Sequence, residues 1–207
     1  MPDYSLQLSL AEEQLKYFYP GSHIVLAKPT AGAAPNVAWQ VFRPFEENTV
    51  TWEEQYGIYV STAAVEHAAL LTRLSRSDHP AIDKKRYKLE DDAAFGPPED
   101  EAGGEEGSYY AENSYSELPV LTFGLFQDAM VNGQLVQGNA LSAAPVLLQH
   151  TAQMTPHTTV YAWVESNVKS NTIATRVTSP QTKIEFGGEV SEVSLSYDHK
   201  SGLFVKS

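Results

Sequence analysis

Residues 37–61 read VAWQVFRPFEENTVTWEEQYGIYVS and concentrate aromatic side chains on short segments with β-strand character. They hold six of the chain's 22 aromatic residues (8 Phe, 3 Trp and 11 Tyr) and two of its three tryptophans. Side chains alternate between the two faces of a strand, so Trp39 and Phe42 are predicted on opposite faces. A strand with one solvated face would carry polar residues there. The stretch therefore predicts strands that are covered on both sides.

The rest of the chain extends this pattern into an all-β fold. Leu6, Leu8 and Leu10 recur with period two, and Asn132-Gly133 separates two apolar segments in the manner of a type I′ hairpin. The segments predicted as strands are 4–10, 15–19, 23–28, 36–42, 48–52, 56–62, 67–75, 119–127, 145–151, 158–166, 171–178, 182–187, 190–198 and 203–206. Short strands with turn residues between them are typical of an antiparallel β-sandwich or flattened barrel.

Two segments are candidates for a helix. Residues 10–15 form the first, and residues 63–74, AAVEHAALLTRL, form the second. The second has reasonable helix propensity. Because it follows a β-rich segment, we favour a strand there.

The acidity of the chain belongs mainly to one segment. The net charge is −12, and residues 90–117 carry ten acidic residues and no basic one. We predict a single sandwich domain over 1–207 with an acidic insertion loop at 90–117. Tyr109, Tyr110 and Tyr115 could anchor this loop to the sandwich, and the basic run KKRYK at 84–88 could pair with its acids. Nucleic acid is excluded as a favourable partner by the negative charge.

Catalytic and metal-binding signals are weak. The chain has no cysteine, which excludes disulfides, thiolate zinc sites and cysteine nucleophiles. The common nucleotide-binding, hydrolase and zinc motifs are absent, and so is the EF-hand calcium loop. His150 and His157 could meet at one end of the sandwich, but solvated histidines explain them as well. We therefore expect no enzyme and no metal site. The alternative is a hydrolase or isomerase that uses Glu53, Glu54 or Glu165.

The aromatic residues are the best candidates for a binding site. Tyrosine and tryptophan carry a polar group on a large apolar ring and are enriched where one end of a side chain meets water. A plain core explains most of them equally well. The residues predicted to line a pocket are Phe42, Trp52, Tyr56, Tyr59, Tyr161, Trp163 and His150. The hypothesis is a non-catalytic binding protein that holds a small aromatic or apolar organic molecule, such as a pigment.

Two other functions remain open. Trp52-Glu53-Glu54 and residues 167–171 have a composition suited to carbohydrate, which favours a lectin. Exposed aromatics could instead serve a membrane-active defence protein. In format (small, acidic, cysteine-free and β-rich) the chain is similar to cytosolic lectins of fungal fruiting bodies. The N-terminus shows neither a signal peptide nor a transmembrane segment, so we expect a cytoplasmic protein. The sheet edges favour a homo-oligomer.

Overall fold

The computed structural model describes residues 3–16, 18, 21–30, 32 and 34–206. Within these residues the chain forms nineteen strands and one short helix, α1 (Glu12–Leu15). The strands are β1 (Asp3–Ser9), β2 (Ser22–Ala27), β3 (Val37–Ala38), β4 (Gln40–Phe42), β5 (Glu47–Glu53), β6 (Gly57–Ser61), β7 (Arg73–Arg76), β8 (Lys85–Leu89), β9 (Glu99–Asp100), β10 (Tyr109–Asn113), β11 (Val120–Val131), β12 (Gln134–Ala140), β13 (Ala144–Leu147), β14 (Thr151–Met154), β15 (Thr159–Ser166), β16 (Thr172–Ile173), β17 (Thr182–Glu185), β18 (Glu192–Asp198) and β19 (Leu203–Lys206). The predicted all-β class is confirmed.

The largest sheet has nine strands. Its order is β19-β18-β1-β5-β11-β6-β7, and β12 and β13 also pair with β11. Two four-stranded sheets have the orders β14-β10-β8-β9 and β17-β15-β2-β4, and β16 pairs with β3. Most pairs are antiparallel, but β1–β18 and β10–β8 are parallel. The long strand β11 pairs with four others, so it places residues from distant parts of the chain side by side.

The main core lies between the nine-stranded sheet and the two four-stranded sheets. Leu6 and Leu8 belong to the nine-stranded sheet. Ile24 and Val160 belong to the sheet that contains β2 and β15, and Tyr109 belongs to the sheet that contains β10. Several antiparallel sheets thus pack together as a sandwich. Two smaller clusters cover outer faces: the second cluster lies around Tyr59 and Phe126, and the third cluster lies around Val25 and Trp163.

Three predicted elements differ from the structure. Residues 36–42 form two strands, β3 and β4, because the chain breaks at Trp39, which turns into the main core. Residues 63–72 form neither helix nor regular strand; Ala63, Val65 and Leu71 pack over the second cluster as an irregular segment, and only Arg73–Arg76 is a strand. Residues 15–19 were predicted as a strand, but Leu15 ends α1, and residues 17 and 19 lie outside the described part of the chain.

The acidic segment 90–117 is only partly a loop. It contains β9 and β10, and Tyr109 and Tyr110 are buried. The sequence does not predict β9 and β10, because acidic residues dominate the local composition. The predicted pairing with the basic run is confirmed. Arg86 reaches Glu99 at 2.9 Å, Glu112 at 3.3 Å and Glu101 at 3.7 Å, while Lys85 reaches Asp100 at 2.5 Å.

Candidate functional site

The seven residues predicted to line a pocket lie in separate places. Trp52 and Tyr56 belong to the main core, and Phe42 packs against it. Tyr59 belongs to the second cluster, and Trp163 and Tyr161 belong to the third. His150 is exposed, and its Nδ1 lies 3.0 Å from the carbonyl oxygen of Leu148. His157 follows β14 in the chain, and its backbone N–H donates to the carbonyl of Pro29 at 3.1 Å.

Within the main core, aromatic rings surround Lys28, a residue that the sequence did not predict in a site. Lys28 follows β2 directly and has no exposed surface. Its Nζ lies 5.6 Å, 5.4 Å and 5.3 Å from the ring centres of Trp39, Trp52 and Tyr56. An ammonium above aromatic faces is attracted by the ring quadrupoles. Three of the six rings in residues 37–61, those of Trp39, Trp52 and Tyr56, therefore pack around a side chain of the protein itself.

Polar groups complete the surroundings of Lys28. Its Nζ donates to Glu54 Oε1 at 2.8 Å, to Gln127 Oε1 at 3.1 Å and to the Tyr56 hydroxyl at 3.3 Å. Glu54 also accepts from Trp52 Nε1 at 3.1 Å and from the Tyr56 hydroxyl. Burial lowers the pKa of Lys28, and the charge of Glu54 opposes this shift. Burial, together with Glu54, raises the pKa of Tyr56, so this hydroxyl stays protonated.

The other predicted carboxylates are engaged differently. Glu165 accepts a hydrogen bond from Trp163 Nε1 at 2.6 Å, and Glu53 is exposed at the end of β5. Glu54 therefore contacts the buried Lys28, whereas Glu165 contacts Trp163. Among the described residues, no group of three or more His, Asp or Glu side chains is arranged to hold a metal ion.

An open cleft of about 530 Å³ lies beside this core, where the end of β5 meets β11 and β12. Its lining residues are Thr51, Trp52, Glu53, Gln55, His79, Asp128, Ala129, Met130 and Leu135. Met130 and Leu135 are paired across the two strands and are 39% and 59% exposed, so they offer an aliphatic wall to solvent. The volume falls within the range of small-molecule sites. Trp52 is the one residue of the predicted set that lines it.

A β-bulge positions the acidic side of the cleft. The β11–β12 register shifts between Gln127 and Ala129, so that Gln137 and Gly138 together oppose Asp128. Gly138 has φ +67, a conformation that glycine adopts readily. Its N–H donates to Asp128 Oδ1 at 2.5 Å. Bulges of this kind redirect side chains and are common beside functional sites.

A second hollow, of about 350 Å³, adjoins the cleft and shares His79 and Asp128 with it. Arg76, Asp78 and Gln137 add polar groups there. The His79 ring stacks on Phe126 with centres 5.3 Å apart, so the ring is held flat against the sheet. Strand pairing alone brings these residues together from three parts of the chain, and no short sequence motif contains them.

Comparisons with known proteins identify no relative: no protein-family model, curated protein or solved structure matches the chain. In the part of the chain that the structure describes, no helix combines the length and apolar character needed to cross a membrane.

Proposed function

We propose that the protein is a non-catalytic binding protein whose cleft between β5 and the β11–β12 hairpin holds a small ligand with an apolar or aromatic body and an amine at one end. The observation that carries the proposal is the pairing of an exposed aliphatic wall with two carboxylates in one concave site. Met130 and Leu135 form the wall, and Glu53 and Asp128 lie in the same cleft.

The amine preference follows from charge. Asp128 uses Oδ1 to accept from Gly138, and the protein carries a net charge of −12. Carboxylates bind cationic groups more strongly than neutral ones, and an acidic surface attracts cations at long range. The methionine thioether at residue 130 also suits an aromatic body.

The proposal differs from the sequence hypothesis in where the ligand lies. Tyr59, Tyr161 and Trp163 are packed among other side chains, whereas the cleft is open beside Trp52. The aromatic ligand class is retained, and the proposed site moves to the open cleft between β5 and the β11–β12 hairpin.

Titration calorimetry with two probes tests the proposal. Phenethylamine should bind, its neutral analogue phenylethanol should bind at least about tenfold more weakly, and Asp128→Asn should remove that difference while keeping an acceptor for the Gly138 N–H. Leu135→Ser should weaken both probes, and Leu147→Ser, an equally exposed leucine on β13 outside the cleft, should change neither. Equal affinities for both probes in the unmodified protein would contradict the amine assignment.

Carbohydrate is the second candidate, and one observation favours it. Glu53 belongs to the segment Trp52-Glu53-Glu54, whose composition was predicted to suit carbohydrate. It lies in the cleft with Thr51, Gln55 and Asp128. These side chains can accept hydrogen bonds from hydroxyl groups. Residues 167–171 contribute less, because Asn171 is occupied by the Ala140 N–H at 2.7 Å. Binding of methyl glycosides with no response to phenethylamine would favour this candidate.

A cytoplasmic location and a homo-oligomer are further predictions. Strand β7 ends the nine-stranded sheet, and such an edge is a place where copies of a chain can join. Light scattering after size exclusion would measure the mass in solution, and a strictly monomeric protein would contradict the oligomer.

A further inference from the structure

Three chain segments converge on the buried lysine. Lys28 follows β2, Glu54 follows β5, and Gln127 lies in β11 just before the bulge. The lysine Nζ lies 3.1 Å from the side-chain carbonyl oxygen of Gln127 and 2.8 Å from Glu54 Oε1. An amine, an amide carbonyl and a carboxylate therefore meet at one point inside the core.

The amide of Gln127 is held in place. Its Nε2 donates to the backbone carbonyl of Glu53 at 2.6 Å, and its own backbone carbonyl accepts from Trp39 Nε1 at 3.3 Å. Gln127 has no exposed surface. The side-chain amide cannot turn away from Lys28 without breaking its bond to the Glu53 carbonyl, and this bond holds the two groups in one orientation.

The surroundings favour a reactive amine. A fully buried ammonium is costly, and burial lowers the pKa of Lys28 and raises its share of free amine. Holding two reacting groups together replaces a bimolecular encounter and can be equivalent to about 10⁵–10⁸ M of reactant. The rings of Trp39, Trp52 and Tyr56 surround the amine, and Lys28 has no exposed surface, so the amine is shielded from bulk solvent.

We infer that Lys28 and Gln127 join through an intramolecular amide bond, with Nζ of the lysine attached to Cδ of the glutamine and one ammonia released. This modification is independent of the cleft and of its proposed ligand.

The reaction needs no other reactant. Glu54 takes a proton from the Lys28 ammonium, and the free electron pair of Nζ attacks Cδ of Gln127, so that a C–N bond forms and the carbonyl electron pair moves to Oε1. Glu54 returns the proton to Nε2 and accepts one from Nζ. The carbonyl re-forms as the C–Nε2 bond breaks, ammonia leaves with the surplus proton as ammonium, and Glu54 is again a carboxylate.

The bond would tie together residues that are 99 positions apart. A cross-link of this kind restricts the unfolded chain, and the restriction grows with the length of the closed loop. The bond would also remove the buried charge of Lys28, and the new amide N–H could donate a hydrogen bond to Glu54.

Intact mass under denaturing conditions tests the inference. The protein, purified and incubated after folding, should be lighter than its sequence by one ammonia, and a peptide digest should contain one branched product joining the segments around Lys28 and Gln127. Lys28→Met and Glu54→Gln should both have the full sequence mass. Asn132-Gly133 can also lose ammonia by closing a succinimide, and the branched peptide separates the two events because the succinimide yields only linear peptides.

The mass of the unmodified protein decides the matter even if the variants fold poorly. A full sequence mass, or linear peptides carrying Lys28 and Gln127 in quantitative yield, would overturn the inference. On denaturing gels the cross-linked chain should migrate faster than Lys28→Met, because the closed loop keeps the unfolded chain more compact.

Discussion

Tyr59 and Gly124 face each other across the β6–β11 pair, and the tyrosine ring occupies the space in which a side chain at residue 124 would stand. A Cβ there would lie 2.6 Å from Tyr59 Cε1 and would also clash with the carbonyl oxygen of Ser142. The Tyr59 hydroxyl donates to that same carbonyl at 2.6 Å. Tyr59 is therefore covered by protein, and its ring, its hydroxyl and the opposing glycine fit together as core.

Gly124→Ala should destabilise the protein severely. The added methyl meets backbone as well as a fully buried ring, so strands must shift, and overpacking of this kind costs about 1–3 kcal/mol or more. Urea denaturation measures the loss. Gly96→Ala is the matched control, because its nearest neighbour is the flexible side chain of Glu90 at 3.3 Å, and it should have a small effect.

Tyr59→Phe should lower the free energy of unfolding by about 1–3 kcal/mol, because the buried carbonyl of Ser142 loses its donor. The ring remains, so the second cluster should keep its packing. Phenethylamine binding should not change, since Tyr59 lies outside the cleft. A loss of binding without a loss of stability would instead place the ligand against Tyr59.

Stability should fall at alkaline pH, and Tyr109 should contribute to the fall. Burial, followed by the charges of Asp83 and Glu54, raises the pKa of Tyr109 to about 12. The folded state keeps its proton after the unfolded state has lost it, so the contribution is complete below pH ~10 and is lost as the pH rises from there through ~12. Urea midpoints over this range should decline less steeply in Tyr109→Phe. Parallel declines in both proteins would show that Tyr109 titrates normally.

Arg86→Ala should destabilise the protein by about 0.5–1 kcal/mol at low salt and by less at high salt. Its guanidinium joins β8 to acids on β9 and β10 and to Glu101, but the group is partly exposed and its pairs are screened. Lys88→Ala is the control, since Lys88 pairs with its near neighbour Glu90 at 3.4 Å. A loss that is independent of salt would mean that the aliphatic part of Arg86, and not its charge, stabilises the segment.

Local patterns predicted much of the fold. Leu6 and Leu8 are fully buried as their alternation indicated, and Asn132 and Gly133, with φ of +49 and +78, form the expected hairpin between β11 and β12. The prediction of a strand within residues 63–72 was wrong, because their apolar side chains cover the second cluster without following the helical or the strand period. β10 was missed because its two buried tyrosines follow a run of acids.

The candidate site could not be predicted from local sequence patterns. Asp128 and Leu135 come from the hairpin, His79 from the segment after β7, and Glu53 from β5, and only the pairing of β11 with its neighbours brings them together. Lys28 gave one local signal that was overlooked: it ends the apolar run HIVLA, with no break between that run and the charge. Its partners Glu54 and Gln127 are 26 and 99 residues away.

Amide NMR spectra recorded during a phenethylamine titration test the central claim, that the cleft is the binding site, most directly. The account predicts saturable shifts concentrated at residues 51–55, 128–130 and 135, with residues around Tyr59 and Trp163 unchanged. Shifts centred on those two buried rings, or no saturable shifts at all, would contradict it.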